Sequence, residues 1–168
     1  METENKTTTE DTEVIYFPKK TFFVFYLGDN EFALESDDIL YISGETDINP
    51  LPFVHTFIEG VLNYIGKPFT VLKPKSYAQG SKLDSSLKKL VVLFNTPDET
   101  FGIHISGMDK FYEIPQEDYV TELDEKYLEV ITAEKKFLKG KIKIDKKDIP
   151  VLNPELYKRA LRNSLGYK

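Results

Sequence analysis

Residues 57–72 read FIEGVLNYIGKPFTVL, and this stretch decides the fold. Two runs of β-forming residues, VLNYIG and KPFTVL, meet at Gly66-Lys67, which predicts a hairpin that turns there. Gly60 and Gly66 permit close backbone approach or a positive φ, and the Asn63 side chain can bond local backbone. The stretch has no cysteine and no cluster of histidines. It therefore predicts a shaped apolar surface for a partner, not a reactive centre.

The composition is typical of a small globular protein. The chain has 168 residues, of which 40% are hydrophobic and none is cysteine. This length fits one domain or two small fused ones, and the lack of cysteine excludes disulfides and thiolate metal sites. No apolar run reaches the roughly 18 residues of a membrane span. The polar, acidic start METENKTTTEDTE is unlike a signal peptide, so we expect a cytoplasmic protein.

The charge is distributed unevenly along the chain. Residues 1–60 hold 13 acidic side chains and 3 lysines, whereas residues 133–168 hold 11 basic side chains and 4 acidic ones. One interpretation is that the acidic start and the basic end attract each other in the folded protein. The other is a basic patch for nucleic acid in the C-terminal third. The overall net charge of −6 disfavours a polyanionic partner.

Turn residues and short apolar runs divide the chain into about ten strands. Residues 21–35 (TFFVFYLGDNEFALE) predict a hairpin around GDN, and their aromatic rings are expected to fill a core instead of stacking on bases. The segment SDDILYIS predicts a helical turn or a third strand, and FGIHIS predicts an alternating strand. Asn153, Pro154 and Gly166 predict a helix over about 153–165.

Small barrels remove the open edges that many short strands would leave. We expect a disordered tail over 1–18, one barrel over about 19–75, a linking loop over about 73–88 and a second barrel over about 87–152.

Four segments give the chain a family resemblance: FYLGDNEFALESDDILYI, LPFVHTFIEGVLNYIGKPFTVL, LVVLF followed by FGIHISGM, and IPVLNPELY. In this order and spacing, over about residues 22–157, they resemble the CheW-like adaptors of bacterial chemotaxis. The resemblance implies a mainly β fold of two intertwined five-stranded β-barrels with a C-terminal helix. It also implies a non-catalytic protein that couples the regulatory domain of a CheA-type histidine kinase to the cytoplasmic tip of methyl-accepting chemoreceptors. The receptor tip, a helical hairpin, would lie in an apolar groove between the barrels.

The chain departs from the family pattern at four places. Ile65 stands where the family has Arg, and Lys73, Ser106 and Asn153 stand where it has Asp. If the family Arg and acids form internal ion pairs, their joint loss is coherent, because a lone buried charge is costly. If the Arg instead contacts a partner, this chain has altered that contact. The sequence leaves both interpretations open.

The candidate partner-binding residues all lie in the opening stretch: Gly60, Val61, Asn63, Ile65 and Gly66. They offer backbone shape and apolar surface, which an interface needs and a catalytic site does not.

No catalytic, cofactor or metal site is predicted. His55 and His104 lie far apart with no third ligand at a metal-binding spacing, and His104 is expected to face solvent or the wall of a groove. The chain has no phosphate-binding glycine loop and no nucleophile elbow, so we do not expect an enzyme. The alternatives are an adaptor of a different chemosensory pathway, such as surface motility or development, and a small nucleic-acid-binding barrel.

Overall fold

The computed structural model describes residues 18–44, 46–74, 90–131 and 134–166. The described strands are β1 (Lys19–Leu27), β2 (Asn30–Glu35), β3 (Ile39–Ser43), β4 (Ile58–Tyr64), β5 (Lys67–Leu72), β6 (Leu90–Phe94), β7 (Phe101–Ile105), β8 (Gly107–Pro115), β9 (Tyr119–Val120), β10 (Leu138–Ile144) and β11 (Lys147–Leu152). The described residues also form two α-helices, α1 (Glu125–Val130) and α2 (Pro154–Ser164), and three 3-10 turns at Ser36–Asp38, Gln116–Asp118 and Lys135–Phe137. The predicted mainly β fold with a C-terminal helix is confirmed. The predicted tail and linking loop lie almost wholly outside the described residues.

Each sheet contains strands from both halves of the chain. One has the order β8-β1-β2-β11-β10-β9 and the other has the order β3-β6-β7-β5-β4. The parallel pairs are β2 with β11, which aligns Ala33 with Val151, and β5 with β7, which aligns Val71 with Gly102. The other pairings of described strands are antiparallel. The two halves are therefore intertwined, as the resemblance implies.

A single chain segment links the two edges of each sheet. In the six-stranded sheet, β8 pairs with β1 at one edge, and β9, which follows after one 3-10 turn, pairs with β10 at the other. In the five-stranded sheet, β3 pairs with β6 at one edge, and Asn49 bridges to Val61 of β4 at the other. Both sheets therefore curl toward barrels, with six and five strands instead of five each.

Strand β1 is buried on both faces. Phe23, Phe25 and Leu27 belong to one apolar cluster, while Phe22 and Val24 belong to another. All five are at most 2% exposed. Successive side chains of a strand point to opposite faces, so β1 separates two apolar cores. These phenylalanines fill the interior, as predicted, and offer no surface for base stacking.

The acidic start and the basic end of the chain meet in the fold. The Lys139 ammonium lies 2.6 Å from the Asp38 carboxylate and 3.3 Å from that of Glu35. The Lys147 ammonium lies 2.7 Å from the Glu31 carboxylate. Such pairs contribute little net stability, but they neutralise part of the C-terminal positive charge within the molecule. They favour internal attraction over a nucleic-acid patch.

The prediction for His104 is wrong. β7 is the central strand of the five-stranded sheet, and all of its residues are buried. His104 is 7% exposed, and its Nδ1 lies 2.7 Å from a carboxylate oxygen of Glu59 on β4. The alternating pattern predicted one solvent-facing side, but a central strand covered on both faces has none.

The C-terminal helix has the predicted ends. The Asn153 Oδ1 accepts a hydrogen bond from the Glu155 backbone N–H at 3.0 Å, and Pro154 occupies the first turn. Gly166, just beyond the helix, has a φ of 75°, which glycine adopts without strain. α2 is too short to span a bilayer, and among the described residues no helix has both the length and the apolar character to do so.

Candidate functional site

The first hairpin (residues 57–72) turns one residue earlier than predicted. β4 ends at Tyr64 and β5 begins at Lys67, so Ile65 and Gly66 form the turn. Their φ values are 48° and 73°, and two positive φ values are what a two-residue type I′ turn requires. The Asn63 Oδ1 accepts a hydrogen bond from the Gly66 N–H at 3.1 Å. The Ile65 side chain projects from this rigid tip and is 82% exposed.

Gly60 and Val61 have a structural role, because both contact the backbone of Asn49 at the edge of the five-stranded sheet. A Cβ added at Gly60 would lie 2.2 Å from the backbone oxygen of Asn49, closer than any side-chain carbon can approach. This contact lets the Asn49 and Val61 backbones exchange hydrogen bonds of 2.9 and 2.8 Å. The structure therefore places Gly60 and Val61 at the closure of the five-stranded sheet and the other three candidates at or beside the exposed turn.

Two tyrosines extend the turn into an apolar patch. Tyr64 stacks on Tyr41 of β3 with 4.5 Å between the ring centroids, and its ring meets Phe69 edge-on. Tyr41 is 42% exposed. We call Tyr41, Tyr64 and Ile65 the hairpin patch, because exposed aromatic and aliphatic groups on a rigid strand pair are typical of protein interfaces. The sequence analysis missed the tyrosines because only the closure of the sheet brings Tyr41 beside Tyr64.

A groove of about 790 Å³ lies where the two sheets approach α2. The five-stranded sheet contributes the residues at the base of the first hairpin, and the opposite wall is formed by residues 134–137 and α2. The main apolar lining residues are Phe57, Leu72, Phe137, Leu156, Tyr157 and Ala160. The groove is therefore built jointly by the base of the first hairpin, the 3-10 turn before β10 and the C-terminal helix.

Aromatic rings and one carboxylate fix the floor of this groove. Phe137 stacks on Tyr157 with 4.0 Å between centroids and 10° between planes. The Tyr157 hydroxyl donates a hydrogen bond to the Glu134 carboxylate, and both residues are at most 3% exposed. Burial and the adjacent Glu134 charge raise the pKa of Tyr157 well above its ordinary value. The hydroxyl therefore remains a hydrogen-bond donor at neutral pH, and the rings of the floor are held in a defined arrangement.

Three cationic side chains also line the groove. Lys73 follows β5, Lys136 belongs to the 3-10 turn before β10, and Arg159 lies on α2. The apolar floor and these cations suit the binding of an amphipathic segment.

The histidines occupy separate environments. The His55 ring meets Phe57 edge-on at 4.8 Å in the wall of the groove, whereas His104 lies inside the sheet beside Glu59. Across residues 18–44, 46–74, 90–131 and 134–166, no group of three or more His, Cys, Asp or Glu side chains could hold a metal ion.

The first hairpin has an internal counterpart, a strand, turn and strand that the sequence predicts but whose position-by-position match to residues 57–72 was not recognised. Residues 137–152 (FLKGKIKIDKKDIPVL), the second hairpin, match residues 57–72 in the positions of Phe, Gly, Lys and the final Val-Leu. The pairing of β10 with β11 shifts register before Gly140, as that of β4 with β5 does before Gly60. Its turn residues, Asp145 and Lys146, also have positive φ values of 48° and 65°. Self-similarity between the two halves was the available signal.

Known proteins match this architecture. A family model described as the CheW-like domain matches residues 21–160. The chain belongs to the CheW-like family. Among solved structures, the scaffolding protein TtCheW from Thermoanaerobacter tengcongensis is similar, with a TM-score of 0.68 and 21% identity over 81% of this chain and 90% of that one. At this identity the likeness concerns the fold. No curated protein gives a significant sequence match.

The four departures from the family pattern have different surroundings in this CheW-like chain. The Ser106 hydroxyl oxygen accepts a hydrogen bond from the Gly28 N–H, and Asn153 caps α2, so both have local structural roles. Lys73 lines the groove, and Ile65 is exposed. Apolar packing in place of an internal ion pair would require a buried side chain, so this explanation does not hold for Ile65. Two departures therefore alter possible binding surfaces.

Proposed function

We propose that the chain is a non-catalytic cytoplasmic adaptor of a chemosensory array. It couples the regulatory domain of a CheA-type histidine kinase to the cytoplasmic tip of methyl-accepting chemoreceptors. Membership of the CheW-like family supports this proposal. The observation that carries it is that one rigid hairpin contributes to two separate surfaces of the molecule.

The first hairpin connects the groove to the hairpin patch. Phe57 and Leu72 at its base line the groove, whereas Tyr64 and Ile65 lie at its tip. At about 3.3 Å per residue, its strands separate the two surfaces by about 20 Å. An adaptor must bind two partners at once without steric overlap, and this separation on one scaffold meets that requirement.

The groove suits a helical partner. Its apolar lining and volume fit an amphipathic helix that inserts residues from one face. The rings of Phe137 and Tyr157 are already stacked, so the lining needs little ordering on binding. We assign the groove to the helical hairpin of the receptor tip.

Binding of nucleic acid is less well supported. Lys139 and Lys147, in the basic C-terminal third, form ion pairs with acidic residues of the first 40. The phenylalanines of β1 are buried. The rings of β1, which the sequence offered for base stacking, are therefore not available to a single-stranded nucleic acid.

Titration calorimetry with purified partners tests the adaptor function. The ligands are the regulatory domain of the CheA-type kinase and a soluble receptor-tip fragment, both encoded in the same genome. We expect the chain to bind each one and to form a ternary complex with both. Binding to neither partner, or competition between the two, contradicts the proposal. Salt-sensitive binding to generic DNA supports the nucleic-acid alternative instead.

Matched substitutions at the two hairpin turns test the hairpin patch. Ile65→Arg places a charge on the exposed tip of the first hairpin, and Asp145→Arg does so at the equivalent turn position of the second. We expect Ile65→Arg to weaken binding to one of the two partners and Asp145→Arg to weaken neither. Both variants should keep the wild-type melting temperature, because surface substitutions usually change stability by less than about 0.5 kcal/mol. Equal effects of the two substitutions would remove the hairpin patch from the proposal.

A further inference from the structure

The groove carries positive charge that is not paired within the described part of the chain. Lys73, Lys136 and Arg159 come from three different elements of its lining, and none forms an ion pair with a described residue. On α2, by contrast, Lys158 and Arg162 on either side of Arg159 both form ion pairs. Of these three cations on α2, Arg159 is the one that lines the groove, and it is also the one that forms no ion pair with a described residue.

The acidic residue in the described lining does not offset this charge at the opening. Glu134 is 3% exposed, and its carboxylate accepts a hydrogen bond from the Tyr157 hydroxyl in the floor. An incoming partner therefore meets apolar rings below and cationic groups around them. Lys73 stands where the family pattern described above has Asp, so the charge at this position is reversed.

We propose that this groove selects an amphipathic helix whose apolar stripe is flanked by Asp or Glu residues. This inference rests on the proposed function, because the receptor tip is the helix in question, and it adds the rule by which the groove distinguishes between helices. Charges at the rim of an interface set specificity and association rate more than total affinity. Acidic flanks pair with Lys73, Lys136 and Arg159, whereas basic flanks meet like charges.

The volume fits a short helical segment. The groove of about 790 Å³ lies within the size range of ligand pockets and can take the apolar side chains from one face of a short helix. Two turns present apolar residues at positions i, i+3, i+4 and i+7. The flanking positions then face the rim, where Lys136 and Arg159 are exposed.

The negative net charge of the whole chain would favour a basic helix, so a measured preference for an acidic helix cannot come from total charge. At a net charge of −6, long-range attraction favours a basic ligand. Screening limits such attraction to about 10 Å at 0.1 M salt, so a preference for an acidic helix requires cations close to the place where the helix binds. A preference for acidic flanks is thus opposite in sign to the effect of total charge.

Two synthetic peptides provide the probe. Both are 20-residue helices with the same leucine stripe, and their flanking positions carry Glu in one and Lys in the other. Fluorescence anisotropy with the full chain at 0.1 M salt is expected to show about tenfold tighter binding of the Glu peptide. Equal binding, or tighter binding of the Lys peptide, overturns the inference.

Charge-reversal variants locate the preference. Lys136→Glu with Arg159→Glu should abolish or reverse it, and the melting temperature should stay unchanged because both side chains are exposed. Lys143→Glu with Lys146→Glu makes the same change in total charge at exposed positions of the second hairpin. This control should retain the preference. An equal loss in both double variants assigns the effect to total charge and overturns the inference.

The receptor-tip fragment separates this inference from the proposed function. If the fragment binds but the two peptides bind equally, the charge rule fails and the adaptor function stands. If the Glu peptide binds the groove and the fragment does not bind, the charge rule stands and the adaptor function fails.

The acidic start of the chain is the other candidate occupant. Residues 1–17 include Glu10, Asp11 and Glu13 and precede β1. Neutralising these three in the full chain, as Gln, Asn and Gln, should leave affinity for the Glu peptide unchanged. A gain of tenfold or more would show that the chain's own start occupies the groove, and would overturn its assignment to a partner.

Discussion

The first and second hairpins share a backbone and differ in the surface they present. In both, the register shifts just before a glycine, Gly60 or Gly140. In both, that glycine faces a backbone oxygen of the segment that closes the sheet. Each then turns through two residues of positive φ. Beyond these common features, the outward positions are apolar or amide in the first hairpin, VLNYI, and charged in the second, KIKID.

Neighbouring elements account for part of this difference. In the second hairpin, the Lys141 ammonium lies 3.0 Å from Asp148 and 4.4 Å from the centroid of the Tyr127 ring on α1. The outward charge of Lys141 is thus paired with Asp148 and covered by the Tyr127 ring. At the first hairpin, Ile65 is exposed. The comparison indicates that the hairpin backbone stabilises the fold in both halves, whereas the outward turn residue of the first, Ile65, leaves an apolar side chain exposed.

The largest effect on stability is expected at the glycine that the two hairpins have in common, Gly60 in the first and Gly140 in the second. Gly60→Ala and Gly140→Ala would place a Cβ 2.2 Å from the Asn49 backbone oxygen and 2.6 Å from the Val120 backbone oxygen, respectively. Neither oxygen can move without breaking sheet closure, so we expect each change to lower the free energy of unfolding by about 1–3 kcal/mol or more. Gly60→Ala should be the more damaging. Urea denaturation measures both.

Gly44→Ala is the control for these two variants. A Cβ at Gly44 meets no atom within 4 Å, so its unfolding midpoint should change little. Similar losses at all three positions would mean that glycine entropy, and not close contact, explains the effect.

A smaller effect on stability is expected when the first turn residue of each hairpin is replaced, and it should differ between the two turns. Ile65 and Asp145 share a φ of 48°, a conformation that β-branched residues adopt only with strain and that Asn tolerates. Ile65→Asn should therefore raise the free energy of unfolding by about 1 kcal/mol, whereas Asp145→Asn should change it by less than about 0.5 kcal/mol. Thermal melts of the pair measure the difference. If Ile65→Asn brings no gain, Ile65 is not strained at this tip.

The smallest effect on stability at neutral pH is expected for Tyr127 of α1, whose ring covers Lys141 of the second hairpin. The Tyr127 hydroxyl is buried and has no hydrogen-bond partner among the described residues, so Tyr127→Phe should change stability by less than about 0.5 kcal/mol at pH 7. Burial, assisted by the Asp148 charge, raises the pKa of Tyr127 to about 12. The contribution of the protonated Tyr127 hydroxyl to the free energy of unfolding is therefore present below pH 10 and is lost as the pH rises through about 12.

Melts at pH 7 and pH 11 test this prediction. Tyr127→Phe should lose less stability than the wild type over this range, because the other tyrosines are common to both proteins. Equal losses would show that the Tyr127 hydroxyl reaches water in the folded protein.

Local signals were sufficient for part of this architecture. Asn153 and Pro154 predicted the start of α2, and the GDN turn predicted the β1–β2 hairpin, because each depends on a few adjacent residues. The turn at Asp145 and Lys146 has no glycine, so only Asp145, a residue that tolerates positive φ, indicated its conformation.

The candidate site was only partly predictable. Ile65 could be found within one stretch of sequence. The stacking of Tyr41 on Tyr64 and the shared groove depend on pairing between distant strands. His104 was misplaced because alternation along a strand does not reveal whether that strand is central or at an edge.

The interleaving of the two halves has a consequence for synthesis on the ribosome. β1 and β2 emerge first, but their sheet neighbours β8 and β11 begin at Gly107 and Lys147. At about 5–20 residues per second, the phenylalanine-rich β1 waits between about 4 and 16 s for β8. The six-stranded sheet cannot be completed before almost the whole chain has left the exit tunnel. During this interval the apolar side chains of β1 lack their final sheet partners, so the nascent N-terminal half is the stage most exposed to aggregation.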